Sequence, residues 1–204
     1  MLAATGEGIL RPADQDVVLD LVRRSVALGL NDAPPHEPLV EYHSPALRRQ
    51  CASTVTLRQN GQVIGYAGTI ESTSSLISDV CHNAYEAARH GAQRSFGCES
   101  LTVDVCLVRE AECVNAHSLD EVCDKLTVGK HGVLLHHSAG AATMTPDKWN
   151  ETPEPYDFMR QLCDKADVAC DDWPDDMHAI LYRTEALPTV EVHLLGNERP
   201  SKPH

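Results

Sequence analysis

A tight hairpin running straight into an amphipathic helix is the feature that most constrains this chain. Ser53 to Arg58 and Val63 to Ile70 are rich in β-formers. Asn60-Gly61 between them supplies the positive φ angles that a two-residue turn needs. Gly65 and Gly68 interrupt the second strand, which marks either a bulge or a close approach by another backbone or a ligand. Ser72, Thr73, Ser74 and Ser75 then offer helix caps. Leu76, Ile77, Val80, Cys81, Ala84, Ala87 and Ala88 follow at helical spacing and predict one buried face. At roughly 100° per residue, Asn83 falls beside that stripe, whereas His82 and Glu86 point away from it.

The remaining elements are read in the same way. Residues 1–11 form an arm, and Pro12 with Asp14 and Asp16 opens a helix because proline fits a first turn and acids suit its positive end. Val18, Val22 and Val26 give that helix an apolar face, and Gly29 and Asn31 end it. Leu101, Val103, Val105 and Leu107 alternate with Thr102, Asp104 and Cys106, a strand with one apolar face. His117 to Leu126 is helical or irregular, Gly132 to His136 is a strand, and Gly140 marks a turn. A short helix begins at Thr145-Pro146, and a longer one runs from Pro155 to Ala166. Ala179 to Thr184 and Val190 to Leu194 close the chain as strands, ahead of a polar tail at 196–204. Helices and strands mix without strict alternation, which predicts an α+β fold with helices packed on an antiparallel sheet.

Charge narrows the function. The 204 residues carry a net charge of −13, which argues against capture of nucleic acid or an anionic membrane surface. No stretch approaches the roughly 18–20 apolar residues needed to span a bilayer. Met1 to Leu10 lacks the basic flank and apolar core of a signal peptide, so a cytoplasmic protein is expected. Residues 147–176 hold ten acids against three bases, a solubilising face that could also meet a basic partner. The eight cysteines include no C-x-x-C pair, and reduced, mostly buried thiols are expected. His136-His137 would point to opposite sides of a strand, and Cys113 with His117 lacks a second pair, so no metal site is assigned.

Taken in order, these segments resemble the AMMECR-type domain, the protein A member of the AmmeMemoRadiSam group. Val63-Ile64-Gly65-Tyr66-Ala67-Gly68-Thr69 stands where that family usually has Leu-Arg-Gly-Cys-Ile-Gly-Thr. Asn83-Ala84 is similar to its Asn-Ala helix, and Leu101 to Leu107 to a strand that usually carries serine at the place of Cys106. Val128-Gly129-Lys130-His131-Gly132 resembles its Pro-Gly-x-x-Gly turn. Thr143-Met144-Thr145-Pro146 and Lys165-Ala166 resemble its Thr-x-Leu-Pro and Lys-Ala-Gly steps. The departures are Ile64 for arginine, Tyr66 for cysteine, and an altered segment around His90 to Phe96.

The resemblance implies a single domain over residues 12–195, built as two lobes with a cleft between them. It places Gly65, Tyr66, Gly68, Thr69, Glu71, Asn83, Cys106 and Lys165 as candidate ligand-binding residues of that cleft. It also implies association with a Memo-type or radical S-adenosylmethionine protein. No cofactor and no catalytic residue is assigned, and a homodimer stays open. Two classes of function compete: a pocket-bearing component acting with such a partner on a small organic substrate, and a non-catalytic module that binds and positions a partner protein. Loss of the arginine and cysteine favours the module, whereas the retained Gly-x-x-Gly-Thr favours a surviving pocket.

Overall fold

The computed structural model describes residues 10–91, 100–138, 140–169, 173–174 and 176–192. The reading of the tail at 196–204 lies outside them, as does most of the altered segment after His90. The chain divides into two compact units, one comprising residues up to Leu107 and from Ala186 onward, the other Val108–Glu185.

In the first unit, helix α1 (Pro12–Leu30) starts on its proline and ends at Asn31. Its Val18, Val22 and Val26 are fully buried, as the four-residue spacing predicts. Leu10, placed in the arm, is also buried in this core. A single turn of helix, α2 (Pro45–Arg48), leads into strands β1 (Ser53–Gln59) and β2 (Gln62–Gly68). They pair antiparallel through the Asn60-Gly61 turn, where both residues take positive φ. The register shifts between Leu57 and Arg58, so Ile64 is an extra residue in β2, a β-bulge. Helix α3 (Leu76–Gly91) follows, and the whole apolar stripe from Leu76 to Ala88 is buried. It packs against α1 and against the hairpin. Strand β3 (Leu101–Val114) lies on the other side of β1, and β7 (Val190–Val192) pairs with its first residues.

Alternation along the first part of β3 is as expected: Leu101, Val103, Val105 and Leu107 are fully buried. The polar face is tied down as well. The carboxylate of Asp104 accepts from Arg58 Nε at 2.9 Å and from Thr189 Oγ1 at 2.8 Å.

The second unit begins with the remainder of β3, which runs on past the expected end at Leu107. Helix α4 (Leu119–Lys125) is capped by Ser118 Oγ, which accepts from Glu121 N. Strands β4 (Gly132–His137) and β5 (Gly140–Met144) form a hairpin. Gly140 therefore opens a strand that the sequence does not signal. Strand β6 (His178–Ala186) pairs antiparallel with β4. Helix α5 (Pro155–Ala166) buries Phe158, Met159, Leu162 and Cys163. Trp149, in a 3₁₀ turn over Pro146–Asn150, stacks on Phe158 with ring centroids 3.9 Å apart. The result is an α+β fold with antiparallel strands. Among the described residues no helix is long and apolar enough to cross a membrane.

Candidate functional site

The end of β2 is pressed closely on both sides, Gly65 by α3 and Gly68 by β1. A Cβ on Gly65 would stand 1.9 Å from the carbonyl oxygen of Ala87, and one on Gly68 would stand 2.7 Å from that of Ser53. Both glycines are thus approached by the chain's own backbone. Past Gly68 the strand turns away from β1 after one last bond, from Thr69 N to Ser53 O. The loop then crosses to the start of α3, and an open cavity of about 580 Å³ remains beside it. One wall is the end of β2 from Tyr66 to Gly68 with Thr69 after it, a second is the loop from Glu71 to Ser74, and the third is α3 through Asp79, His82, Asn83, Glu86 and His90.

The floor is a buried polar cluster. Asp79 and Asn83 lie one turn apart on α3 and are 8% and 4% exposed, and Ser53 at the head of β1 is fully buried. Asp79 Oδ1 accepts from Ser53 N at 2.8 Å, from Ser53 Oγ at 2.6 Å and from Asn83 Nδ2 at 2.8 Å. The Asn83 amide also reaches Ser53 O at 3.1 Å and Ser53 Oγ at 3.0 Å, so its two hydrogens are shared among three acceptors. Such a network fixes the helix against the strand, since buried polar groups left unpaired are costly.

His82, Glu86 and His90 recur every four residues and present the outer face of α3 to the cavity. His90 Nδ1 lies 3.0 Å from the carbonyl oxygen of Tyr66. A carbonyl only accepts, so in the neutral ring Nδ1 carries the hydrogen and Nε2 keeps the lone pair. Among the described residues no lysine or arginine lines the cavity, and no group of three or more His, Cys, Asp or Glu is placed to hold a metal ion.

Of the eight sequence-derived candidates, Tyr66, Gly68, Thr69, Glu71 and Asn83 line this cavity. Gly65 sits under α3 and serves the packing of helix on strand. Cys106 lies half-buried in β3 opposite Thr54, and neither it nor Lys165 is part of the lining. Lys165 is an exposed residue of α5 in the second unit. Asp79 and Ser53 escape the sequence reading. The available signal was an aspartate four residues before Asn83 on the same helix. His82 and Glu86 do point away from the apolar stripe, and the cavity is where they point.

Thiols offer little chemistry here. Of the six described cysteines, Cys81, Cys123 and Cys163 are buried, Cys51 and Cys106 are half-buried, and Cys113 is exposed. Burial pushes the Cys81 thiol up, away from the reactive thiolate. Cys113 lies in β3 and His117 precedes α4, so no helical turn joins them.

The second unit has its own polar cluster, around His131. Thr127 N lies 3.2 Å from its Nδ1 and Arg183 Nε 3.2 Å from its Nε2, and the neutral ring accepts from one of them while its other nitrogen carries the hydrogen. An imidazolium would turn an N–H toward both donors. Burial, and then the Arg183 charge, hold the His131 pKa below the ordinary value. In the range between the lowered and ordinary values, the unfolded chain binds a proton that the folded chain does not. Stability from this site is therefore present above about pH 6.5 and is lost as pH falls through the lowered value. His131→Asn is expected to lose less melting temperature than the parent chain when taken from about pH 7 to about pH 5, a comparison made by circular dichroism.

The fold and the cavity together define an α+β protein that presents an open, carboxylate-rich pocket between a glycine-bearing strand and a helix. The chain belongs to the AMMECR1 family, whose family model matches residues 19–187. It is 25% identical over 205 residues to a protein of Thermofilum pendens, covering 93% of this chain and 95% of that one. A protein of Methanosarcina mazei is 27% identical over 135 residues, 64% of this chain and 67% of its own length. One of Methanosarcina acetivorans is 29% identical over 124 residues, 58% of this chain and 62% of its own. The crystal structure of an uncharacterised protein from Pyrococcus horikoshii shares the fold, with a TM-score of 0.75 at 18% identity over 92% of this chain and 100% of that one.

Proposed function

We propose that this protein is the pocket-bearing component of a two-protein system, holding a small organic molecule for a Memo-type or radical S-adenosylmethionine partner. The observation that carries this reading is the braced cavity floor. Asp79, Asn83 and Ser53 are buried and cross-bonded, which fixes the polar groups above them before any ligand arrives. The volume suits a small molecule. Tyr66 stands where the family usually has cysteine. It is 41% exposed and lines the cavity, so it offers a ring and a phenol in place of a thiol. Ile64, at the place of the family's arginine, is 8% exposed and belongs to the core.

Those two replacements support the second reading, a module that positions a partner without chemistry of its own. Thr73→Trp separates the two readings, because Thr73 is an exposed lining residue whose enlargement narrows the cavity. A thermal-shift screen of small polar metabolites should find compounds that stabilise the parent chain and not the variant. No stabilising compound, or equal effects on both, would overturn the pocket reading. Capture of a Memo-type partner undiminished by Thr73→Trp, together with an empty screen, would leave the module.

A further inference from the structure

We infer that the cavity of the first unit receives the cationic end of its ligand, a small hydroxylated amine. This inference rests on the reading of the cavity as a ligand site, and it names the ligand's chemistry. Three observations carry it. First, all three bonds to the Asp79 side chain fall on Oδ1. Among the described residues Oδ2 takes none, although Asp79 is more than nine-tenths buried and lines the cavity. Oδ2 is not sealed from solvent, so it stands as an acceptor open to a donor that enters the cavity. Second, the other titratable groups on the walls, Glu71, Glu86, His82 and His90, add acceptors and negative charge, and no described lysine or arginine opposes them. His90 in its neutral form turns a lone pair outward from Nε2, because Nδ1 is committed to the Tyr66 carbonyl. Third, Thr69, Ser72, Thr73 and Ser74 bring hydroxyls to the rim, groups that donate and accept and so suit a ligand carrying hydroxyls of its own.

An ammonium group matches this lining. It carries three donors and no acceptor, and it makes charge-assisted bonds to carboxylate. A carboxylate or phosphate ligand would face Asp79, Glu71 and Glu86 with no lysine or arginine among the described lining residues to offset them, a like-charge arrangement that repels it.

The test is amide chemical-shift mapping on the full chain with matched probes at constant ionic strength. Ethanolamine and 1,4-diaminobutane are compared with the neutral isosteres ethylene glycol and 1,4-butanediol, and with glycolate and succinate. The expected result is that the amines shift resonances of β2, the following loop and α3, and bind at least about ten-fold more tightly than the diols. Asp79→Asn keeps an acceptor for Ser53 and Asn83 while removing the charge, and should weaken the amines about ten-fold. Glu71→Gln touches no bonded network and should weaken them about three-fold, which keeps the test valid if Asp79→Asn folds poorly. Equal binding of amines and diols, or stronger binding of the carboxylates, would overturn the amine assignment while leaving a ligand site in place. Shifts from none of the six compounds at the cavity would overturn the assignment and count against the pocket reading itself.

Discussion

Gly65→Ala is expected to destabilise the protein by about 3 kcal/mol, because the added carbon has nowhere to go. It would stand 1.9 Å from the Ala87 carbonyl oxygen and 3.2 Å from the Gly91 nitrogen, both backbone atoms of α3. Backbone cannot swing aside as a side-chain tip can, so the last turns of α3 must lift off the bulge in β2. In a chain of this size that is a fall of roughly 6–12 °C in melting temperature. Gly61→Ala is the control. It lies in the same hairpin with nothing within 4 Å of its added carbon, and it bears only the strain of its positive φ, about 1 kcal/mol. Amide exchange along α3 should quicken in the first variant and stay unchanged in the second. Equal losses in the two would mean that the helix does not press on the strand as described.

Asp79→Ala should cost a similar amount, about 3 kcal/mol, by a different route. It strips the acceptor shared by Ser53 N, Ser53 Oγ and Asn83 Nδ2. Asn83 can still reach Ser53, but the N–H of the fully buried Ser53 loses its acceptor. Asn83→Ala alone should cost less, about 1–2 kcal/mol, since it leaves Ser53 bonded to Asp79. The double variant should then fall short of the sum by about 1 kcal/mol, as contacting members of one network do. Strict additivity in urea denaturation would show that the three side chains do not act together.

How much of this was legible before the structure differs from element to element. The hairpin and α3 were readable because each carries its own period, and because Asn60-Gly61 admits few conformations. Strand β5 was not, since Gly140-Ala141-Ala142-Thr143-Met144 has no alternation of its own. It is a strand because β4 offers its carbonyls and amides in register, Val133 opposite Met144 through His137 opposite Gly140. The far part of β3 hid for another reason. Leu107 and Val108 are buried in succession and Glu110 takes a positive φ, so the alternation breaks where the chain passes from one unit to the other.

The candidate site followed the same logic. Tyr66, Gly68, Thr69, Glu71 and Asn83 were within reach because they belong to the hairpin and the helix that follow one another in sequence. Cys106 and Lys165 rested on a resemblance in other elements, and neither lines the cavity. The Asp79–Ser53 contact spans 26 residues, and no local pattern pairs a strand-opening serine with a helix aspartate. Only the register of α3 on β1 brings them together.

On the proposed reading the first unit carries a pocket occupied by a small molecule in the working protein. Its occupancy is read from the native mass of gently purified, anaerobically handled protein, measured beside Thr73→Trp prepared in the same way. The expected result is a stoichiometric extra mass of small-molecule size on the parent chain and its loss from the variant. A parent chain at its bare polypeptide mass, or an extra mass carried equally by Thr73→Trp, would contradict it.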